Sequence, residues 1–154
     1  MKMKLRRRQF LQGALTLPIA LGAPHVAAES EARRRQVATA IAQVFGPNRT
    51  VQAGKVQVIV PAISENGYSV PVAVEVDSPM TREDHVRRLV VVSEANPLAV
   101  IAQFDLGPLA GLARVNTRVR LADSQRIYAV AEMNDGTLWT GYDHSIVTLA
   151  ACVI

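Results

Sequence analysis

The sequence predicts an all-β protein: an immunoglobulin-like antiparallel β-sandwich preceded by one N-terminal α-helix. After Pro47, short runs rich in β-branched residues follow one another, and several, such as VQVIV and PVAVEV, alternate with the period of a half-buried strand. Turn-forming pairs, among them Asn66-Gly67 and Asp135-Gly136, separate these runs. About seven short strands at this spacing are typical of such a sandwich.

The predicted elements are one helix and seven strands. Residues 29–47 form the helical segment, in which apolar side chains recur at helical spacing and Gly46-Pro47 ends the helix. The sandwich covers residues 48–149, with strands predicted over 55–60, 70–76, 88–93, 100–105, 113–121, 126–133 and 138–149. The last strand could be broken near Asp143.

The composition predicts one globular domain, with 154 residues of which 49% are hydrophobic and 19% are charged. The net charge of +4 does not indicate nucleic-acid binding, because five of the 17 basic residues lie within the first eight positions. Without residues 1–28, 12 basic residues stand against 13 acidic ones.

Residues 1–28 are predicted to be a signal peptide of the twin-arginine type. A basic start, an apolar stretch over 14–23 and small residues before a cleavage point after Ala28 are the three parts of such a signal. Arg7, Arg8, Phe10 and Leu11 resemble the twin-arginine motif, although a general secretory signal with a chance arginine pair is the alternative. Either route exports the protein, and we expect it in the periplasm.

The remaining sequence contains no pattern of an autonomous enzyme. It has no phosphate-binding glycine loop, no cysteine–histidine metal spacing and no evident nucleophile–base pair. His85 and His144 could meet and bind a metal with Asp84 or Asp143, but lone histidines beside loops more often face solvent. We therefore predict no catalytic site, no metal and no cofactor.

Three further segments each have a functional and a plain structural interpretation. The arginines at 33–35 are either an anionic docking patch or the solvated face of the helix. The segment 77–85 is either a partner-binding loop or a connection between strands, with Met80 as the apolar contact and Thr81 with Asp84 capping a short helical turn. Trp139 is expected to pack within a tight hairpin at 133–139.

Cys152 is the single cysteine of the sequence. In an oxidising compartment an unpaired cysteine implies either an intermolecular disulfide or a thiol kept for reaction, and near a chain end such a thiol can enter another protein's active site. A buried or incidental cysteine is the alternative, and position alone does not decide between them.

Several sequence blocks resemble those of the SoxY family, the sulfur-carrier subunit of bacterial thiosulfate-oxidising systems. They are VPAISENGYSVPVAVEVDSPM at 60–80, ANPLAVIAQFDLGPLAG at 95–111, VNTRVRLADSQRIYAVAEMNDGTLW at 115–139, and the near-terminal Cys152. The resemblance covers essentially the whole chain after the signal and implies an immunoglobulin-like fold.

The resemblance also implies a function and its partners. Proteins of this family pair with SoxZ and carry sulfur covalently on the cysteine of a C-terminal arm. The oxidising cytochrome SoxAX loads thiosulfate, the hydrolase SoxB releases sulfate and the dehydrogenase SoxCD oxidises the remaining sulfur. By resemblance Cys152 is the attachment point, and disulfide-linked self-association through it is a further option.

The sequence departs from the family at this arm. The family arm typically reads Gly-Gly-Cys-Gly-Gly, whereas Ala150, Ala151, Val153 and Ile154 surround the cysteine here. Alanine and β-branched residues restrict the freedom that glycine gives. Three hypotheses follow: a working carrier, a non-carrying structural or regulatory paralogue that binds SoxZ, and a thiol module of another exported pathway.

Overall fold

Two β-sheets pack face to face in the computed structural model, which describes residues 23–151, and a helix covers the outer face of the larger sheet. This confirms the predicted immunoglobulin-like sandwich with one N-terminal helix. The elements are α1 (Ala23–Phe45), β1 (Val51–Ala53), β2 (Val56–Ile59), β3 (Ile63–Ser64), β4 (Val70–Val76), β5 (Val86–Ser93), β6 (Val100–Asp105), β7 (Arg114–Val119), β8 (Gln125–Met133) and β9 (Leu138–Val147).

The larger sheet has six strands and the smaller one has three. The strand order of the larger sheet is β1-β9-β8-β5-β6, with β3 also paired to β9. The smaller sheet has the order β2-β4-β7. The pairings are antiparallel except for β1 and β3, which run parallel to β9. These two short strands were not predicted, because three and two residues are too few to show an alternating pattern.

The main core lies between the two sheets and follows from the alternation of the strands. In β4 every second residue from Val70 to Val76 is buried, and in β8 Ile127, Ala129 and Ala131 face them. Gly141 allows β9 to approach β2, since a Cβ there would overlap the carbonyl oxygen of Val56. Apolar burial of this kind is the main force that holds the two layers together.

Helix α1 forms a second core on the other face of the larger sheet. Val37, Ala40 and Phe45 pack there against Val90 and Val92 of β5 and against neighbouring strand residues. Because Leu89 and Val91 point into the first core, β5 is buried on both faces. This explains its unbroken apolar run, which is unusual for a strand of an antiparallel sheet.

Several element ends differ from the prediction, by one or two residues in the strands and by six residues at the start of the helix. The helix begins at Ala23, six residues before the predicted start at 29, while the predicted cleavage after Ala28 stays a prediction. Strand β9 is continuous through Asp143 and ends at Val147, two residues earlier than predicted. The signal-motif residues Arg7, Arg8, Phe10 and Leu11 lie outside the described residues, and within 23–151 no helix is long and apolar enough to cross a membrane.

Candidate functional site

The chain leaves the sandwich at the end of β9 and leads directly to the predicted attachment residue. Cys152, Val153 and Ile154 lie outside the described residues, so their predicted roles stay predictions. Of the two predicted arm residues that are described, Ala150 is exposed and Ala151 is only 5% exposed. The residue before the cysteine thus lies on the protein body.

Backbone hydrogen bonds fix the four residues 148–151, which we call the junction segment. The amide of Thr148 donates to the carbonyl oxygen of Ser64 (3.0 Å), and the carbonyl oxygen of Leu149 accepts from the amide of Gly67 (2.8 Å). The amide of Ala151 donates to the carbonyl oxygen of Leu121 (3.0 Å). Two loops therefore hold the segment, one after β3 and one after β7.

Gly67 joins these two loops to the junction segment. Besides its bond to Leu149, its carbonyl oxygen accepts a hydrogen bond from the amide of Leu121 (2.8 Å). A Cβ at this position would overlap the carbonyl oxygen of Leu121 and lie 2.9 Å from the amide nitrogen of Ala151, closer than real Cβ atoms come. Glycine is required here by the close approach of three backbone segments.

The loop that accepts the Ala151 amide is itself held by a buried asparagine. Asn96 is 2% exposed, and its side-chain amide donates to the carbonyl oxygen of Arg120 (2.7 Å), while its Oδ1 accepts from the amide of Ala122 (3.0 Å). These two bonds bracket Leu121. The position of the Leu121 carbonyl is therefore set by the asparagine and not only by the loop sequence.

Gln125 extends the same buried network. Its Nε2 donates to Oδ1 of Asn96 (3.0 Å) and to the carbonyl oxygen of Asp123 (3.1 Å), and its Oε1 accepts from the hydroxyl of Ser93. Every buried side-chain nitrogen and oxygen within the described residues has a partner. A fully paired polar network of this kind is rigid, because breaking one bond leaves a buried group unsatisfied.

Four exposed apolar residues lie in or next to the stretches of chain that hold the junction segment, and we call Ile63, Tyr68, Ile146 and Leu149 the arm-base patch. They are 62%, 46%, 48% and 59% exposed. Ile63 and Ile146 are Cα partners in the parallel β3–β9 pairing and so share one face. Tyr68 and Leu149 adjoin the Gly67–Leu149 hydrogen bond.

The segment 77–85 does not present the apolar contact that a partner-binding loop would need. Met80 is 5% exposed and packs in the main core, so the interpretation of Met80 as an adaptable contact is wrong. The hydroxyl of Thr81 does accept a hydrogen bond from the amide of Asp84 (3.1 Å), but these residues form bends rather than a helical turn.

The two histidines lie on different parts of the structure. His85 precedes β5, and its Nδ1 lies 3.0 Å from the carbonyl oxygen of Thr81, while His144 is an exposed residue of β9. Across residues 23–151 no three histidine, cysteine, aspartate or glutamate side chains come together as metal ligands.

The arginines at 33–35 lie in two different environments. Exposure at 34 and 35 agrees with both interpretations, whereas Arg33 agrees with neither. Arg34 and Arg35 are exposed, whereas Arg33 contacts carboxylate oxygens of Glu29 (2.6 Å) and Asp123 (2.9 Å). Partial burial lowers the pKa of Arg33, but the hydrogen bonds and charges of these two carboxylates outweigh it and raise that pKa above its usual value. Arg33 therefore fastens the helix to the loop after β7.

Trp139 has the predicted packing role. The β8–β9 pair is a tight hairpin, closed by a hydrogen bond from the amide of Met133 to the carbonyl oxygen of Thr137 (2.9 Å). The indole is half-buried against the main core and donates to the hydroxyl of Thr137 (3.1 Å).

Comparison with protein families identifies the chain. Residues 41–152 match the model of the sulfur oxidation protein SoxY. The chain belongs to the SoxY family. The sulfur carrier protein SoxY from Chlorobium limicola f thiosulfatophilum has a similar structure, with a TM-score of 0.68 and 26% identity over 79% of this chain and 99% of that one. No curated protein matches the sequence.

More distant structural relatives share the fold alone. A superoxide reductase (neelaredoxin) from Ignicoccus hospitalis has a TM-score of 0.52 and 19% identity over 61% of this chain and 80% of that one. A superoxide reductase from Nanoarchaeum equitans has a TM-score of 0.51 and 14% identity over 62% and 99%. The sandwich is therefore a general scaffold, and the site has to be argued from its own residues.

The anchoring of the junction segment was missed by reasoning from the sequence. Asn66-Gly67 has the composition of a turn, but nothing local shows that Gly67 contacts Leu121 and Ala151, which lie more than fifty residues away. Asn96, Gln125 and Ser93 were equally unremarkable polar residues near loops. Only the three-dimensional arrangement brings them together beneath the junction.

Proposed function

We propose that this protein is a periplasmic sulfur-carrier subunit of a thiosulfate-oxidising system, which binds sulfur intermediates covalently on Cys152 as one half of a SoxYZ heterodimer. The observation that carries the proposal is that the SoxY family match extends from residue 41 to residue 152 and so includes the single cysteine. The similarity to a sulfur carrier protein of the same family supports it.

The loading step forms a sulfur–sulfur bond at the thiol. The cysteine loses one proton, its sulfur bonds to the outer sulfur of thiosulfate, and two electrons pass to the oxidised cytochrome SoxAX. The product is a cysteine S-thiosulfonate. The thiolate is the reactive form of the cysteine, so exposure and local charge control the step.

Release of sulfate follows from the bond that loading creates. SoxB adds water to the sulfonate group, and the bond between the two outermost sulfur atoms breaks. Sulfate and two protons are released, and the cysteine keeps a persulfide anion. SoxCD, where it is present, oxidises this remaining sulfur. The carrier holds the intermediate throughout and contributes no catalytic group of its own to these steps.

The proposed periplasmic location and the proposed pairing with SoxZ are linked through the export route. A twin-arginine signal directs folded cargo to the periplasm, so a SoxZ subunit without a signal of its own could leave the cell bound to this chain. The family match concerns this chain only. Its interaction with SoxZ, SoxAX, SoxB and SoxCD is part of the proposal.

Intact-protein mass spectrometry tests the proposal. The mature protein, purified with SoxZ from thiosulfate-oxidising cells, should carry sulfonate, thiosulfonate or polysulfide groups that are absent from a Cys152→Ser control. An unmodified wild-type thiol, in cells that are oxidising thiosulfate, would favour the non-carrying paralogue over the carrier. Adducts unrelated to thiosulfate sulfur would favour a thiol module of another pathway.

A further inference from the structure

The anchoring of Ala151 limits the distance between the protein body and the proposed attachment residue. Consecutive Cα atoms are about 3.8 Å apart, and Cys152 follows Ala151 directly in the sequence. Ala151 is buried and hydrogen-bonded to Leu121. An enzyme that takes this thiol into its active site must therefore bring its entrance against the surface around the junction segment.

That surface has the composition of a protein-binding site. The arm-base patch exposes two isoleucines, one leucine and one tyrosine, while the exposed polar residues Glu65, Asn66 and Thr148 lie between them in the same two stretches of chain. Ile63 and Ile146 are neighbours across the β3–β9 pairing, and contiguous exposed apolar groups mark protein interaction sites.

A second set of exposed leucines provides an internal comparison. Leu109 and Leu112 are 99% and 71% exposed and lie in the connection between β6 and β7. Neither belongs to the two loops that hold the junction segment. Apolar residues that are more exposed than those of the arm-base patch are thus present at a place that need not face an enzyme acting on Cys152.

From these observations we propose that the arm-base patch is the docking surface for the enzyme that forms the sulfur–sulfur bond on Cys152, with the apolar rim of that enzyme's entrance as its occupant. This inference rests on the proposed carrier function. It goes further by assigning Ile63, Tyr68, Ile146 and Leu149 a role in recognition. Removing apolar area there should weaken the encounter without changing the chemistry of the thiol.

Steady-state loading kinetics test the inference with the carrier complex as the varied substrate. Ile63→Ser and Ile146→Ser should each raise KM about tenfold with kcat within about twofold, since one lost apolar anchor of about 1.4 kcal/mol is a tenfold change. Leu149→Ser repeats the test outside any strand. Leu109→Ser is the matched control and should leave both constants unchanged.

Two further measurements keep the outcomes distinct. The reaction of Cys152 with iodoacetamide should be equal in all variants, and the binding of each complex to the oxidising cytochrome without thiosulfate should weaken only for the patch variants. If wild type loads and the patch variants bind as wild type does, the docking proposal is wrong. It is equally wrong if the patch variants fail to bind SoxZ, because the patch then belongs to that interface.

Failure of the carrier function would look different. If wild type binds the cytochrome through the patch but is never loaded, the proposed function is wrong, and the patch is a cytochrome-binding surface of a non-carrying paralogue. If wild type neither binds nor is loaded, both proposals fall together.

Discussion

Strand β5 and the junction segment are each held on two sides, but by different interactions. β5 lies between two apolar cores, with Leu89 and Val91 facing the second sheet and Val90 and Val92 facing the helix. The junction segment is fixed instead by backbone hydrogen bonds to Ser64, Gly67 and Leu121. The difference is between burial, which stabilises the whole fold, and hydrogen bonds, which fix a position.

This difference separates stability from function in the molecule. Apolar burial is non-directional and contributes most of the favourable free energy of folding. Each hydrogen bond makes a net contribution of about 1 kcal/mol, but its direction defines geometry. A change in β5 should therefore alter how much protein is folded. A change at the junction should alter where the arm begins, with a smaller effect on folding.

The largest expected effect on stability is in β5. Leu89→Ala should lower the free energy of unfolding by about 2–5 kcal/mol, because a fully buried side chain leaves a cavity between the sheets. Urea unfolding measures this. When rates are normalised to the amount of folded protein, KM and kcat for loading should equal those of wild type. A raised KM of the folded protein would contradict the separation of stability in β5 from function at the junction segment.

Asn96→Ala should have an intermediate effect on stability and should also loosen the junction segment. The loss of the buried amide leaves the Arg120 carbonyl and the Ala122 amide without their partner, at a cost of about 1–3 kcal/mol. Hydrogen exchange should also become faster at the amide of Ala151, because its acceptor Leu121 lies between those two groups. Unchanged exchange there would show that the asparagine does not position the junction.

Gly67→Ala should change position more than stability. The added Cβ overlaps the Leu121 carbonyl and crowds the Ala151 amide, so we expect the junction segment to be displaced. Exchange protection of Ala151 should be lost and KM for loading should rise, with a smaller loss of unfolding free energy than for Leu89→Ala.

Gly107→Ala is the matched control for this variant, since a Cβ at Gly107 meets nothing within 4 Å. It should behave as wild type in both assays. A Gly67→Ala protein with a lower KM than wild type would mean that arm flexibility, rather than a fixed arm base, limits loading.

The smallest effect concerns pH at the β8–β9 turn. Hydrogen bonds from the amide and hydroxyl of Thr137 hold the pKa of the Asp135 carboxyl below its usual 3.8. A carboxyl with a lowered folded-state pKa adds stability above its unfolded-state pKa, and that stability is lost as pH falls through the folded-state value. Asp135→Asn should thus lose slightly more stability near pH 7 than at a pH below the folded-state pKa of Asp135.

Thermal unfolding of wild type and Asp135→Asn, from pH 7 down through the folded-state pKa of Asp135, measures the difference in stability. The turn and the junction segment lie at opposite ends of β9, so the yield of the Cys152 adduct should be the same for wild type and Asp135→Asn. A difference between them that grows as pH falls would contradict the assignment of the hydrogen bonds.

Much of the fold was predictable because its signals are local. The alternation of residues in β2 and β4, the runs of β-branched residues and the turn pairs between them marked the seven longer strands, and helical spacing marked the helix. The short strands β1 and β3 carry too few residues for a pattern. The coverage of β5 by the helix was hidden because an apolar run does not say what covers each face.

The site was predictable only in part. The family blocks and the cysteine indicated a carrier, and the family match bears out the resemblance. The anchoring of the junction was not visible, since it depends on backbone contacts of Gly67 with Leu121 and Ala151. The sequence showed an arm of alanines and β-branched residues, whereas the structure shows that Ala151 belongs to the body in this conformation.

A pulse–chase experiment tests the central claim most directly, because it asks whether sulfur on Cys152 is an intermediate of turnover. The SoxYZ complex is loaded with thiosulfate labelled in its sulfonate sulfur, freed of excess and mixed with the hydrolase. The account predicts that label leaves the protein as sulfate at least as fast as the whole system turns over. Label that stays on wild type while unlabelled thiosulfate is oxidised at the full rate would contradict it.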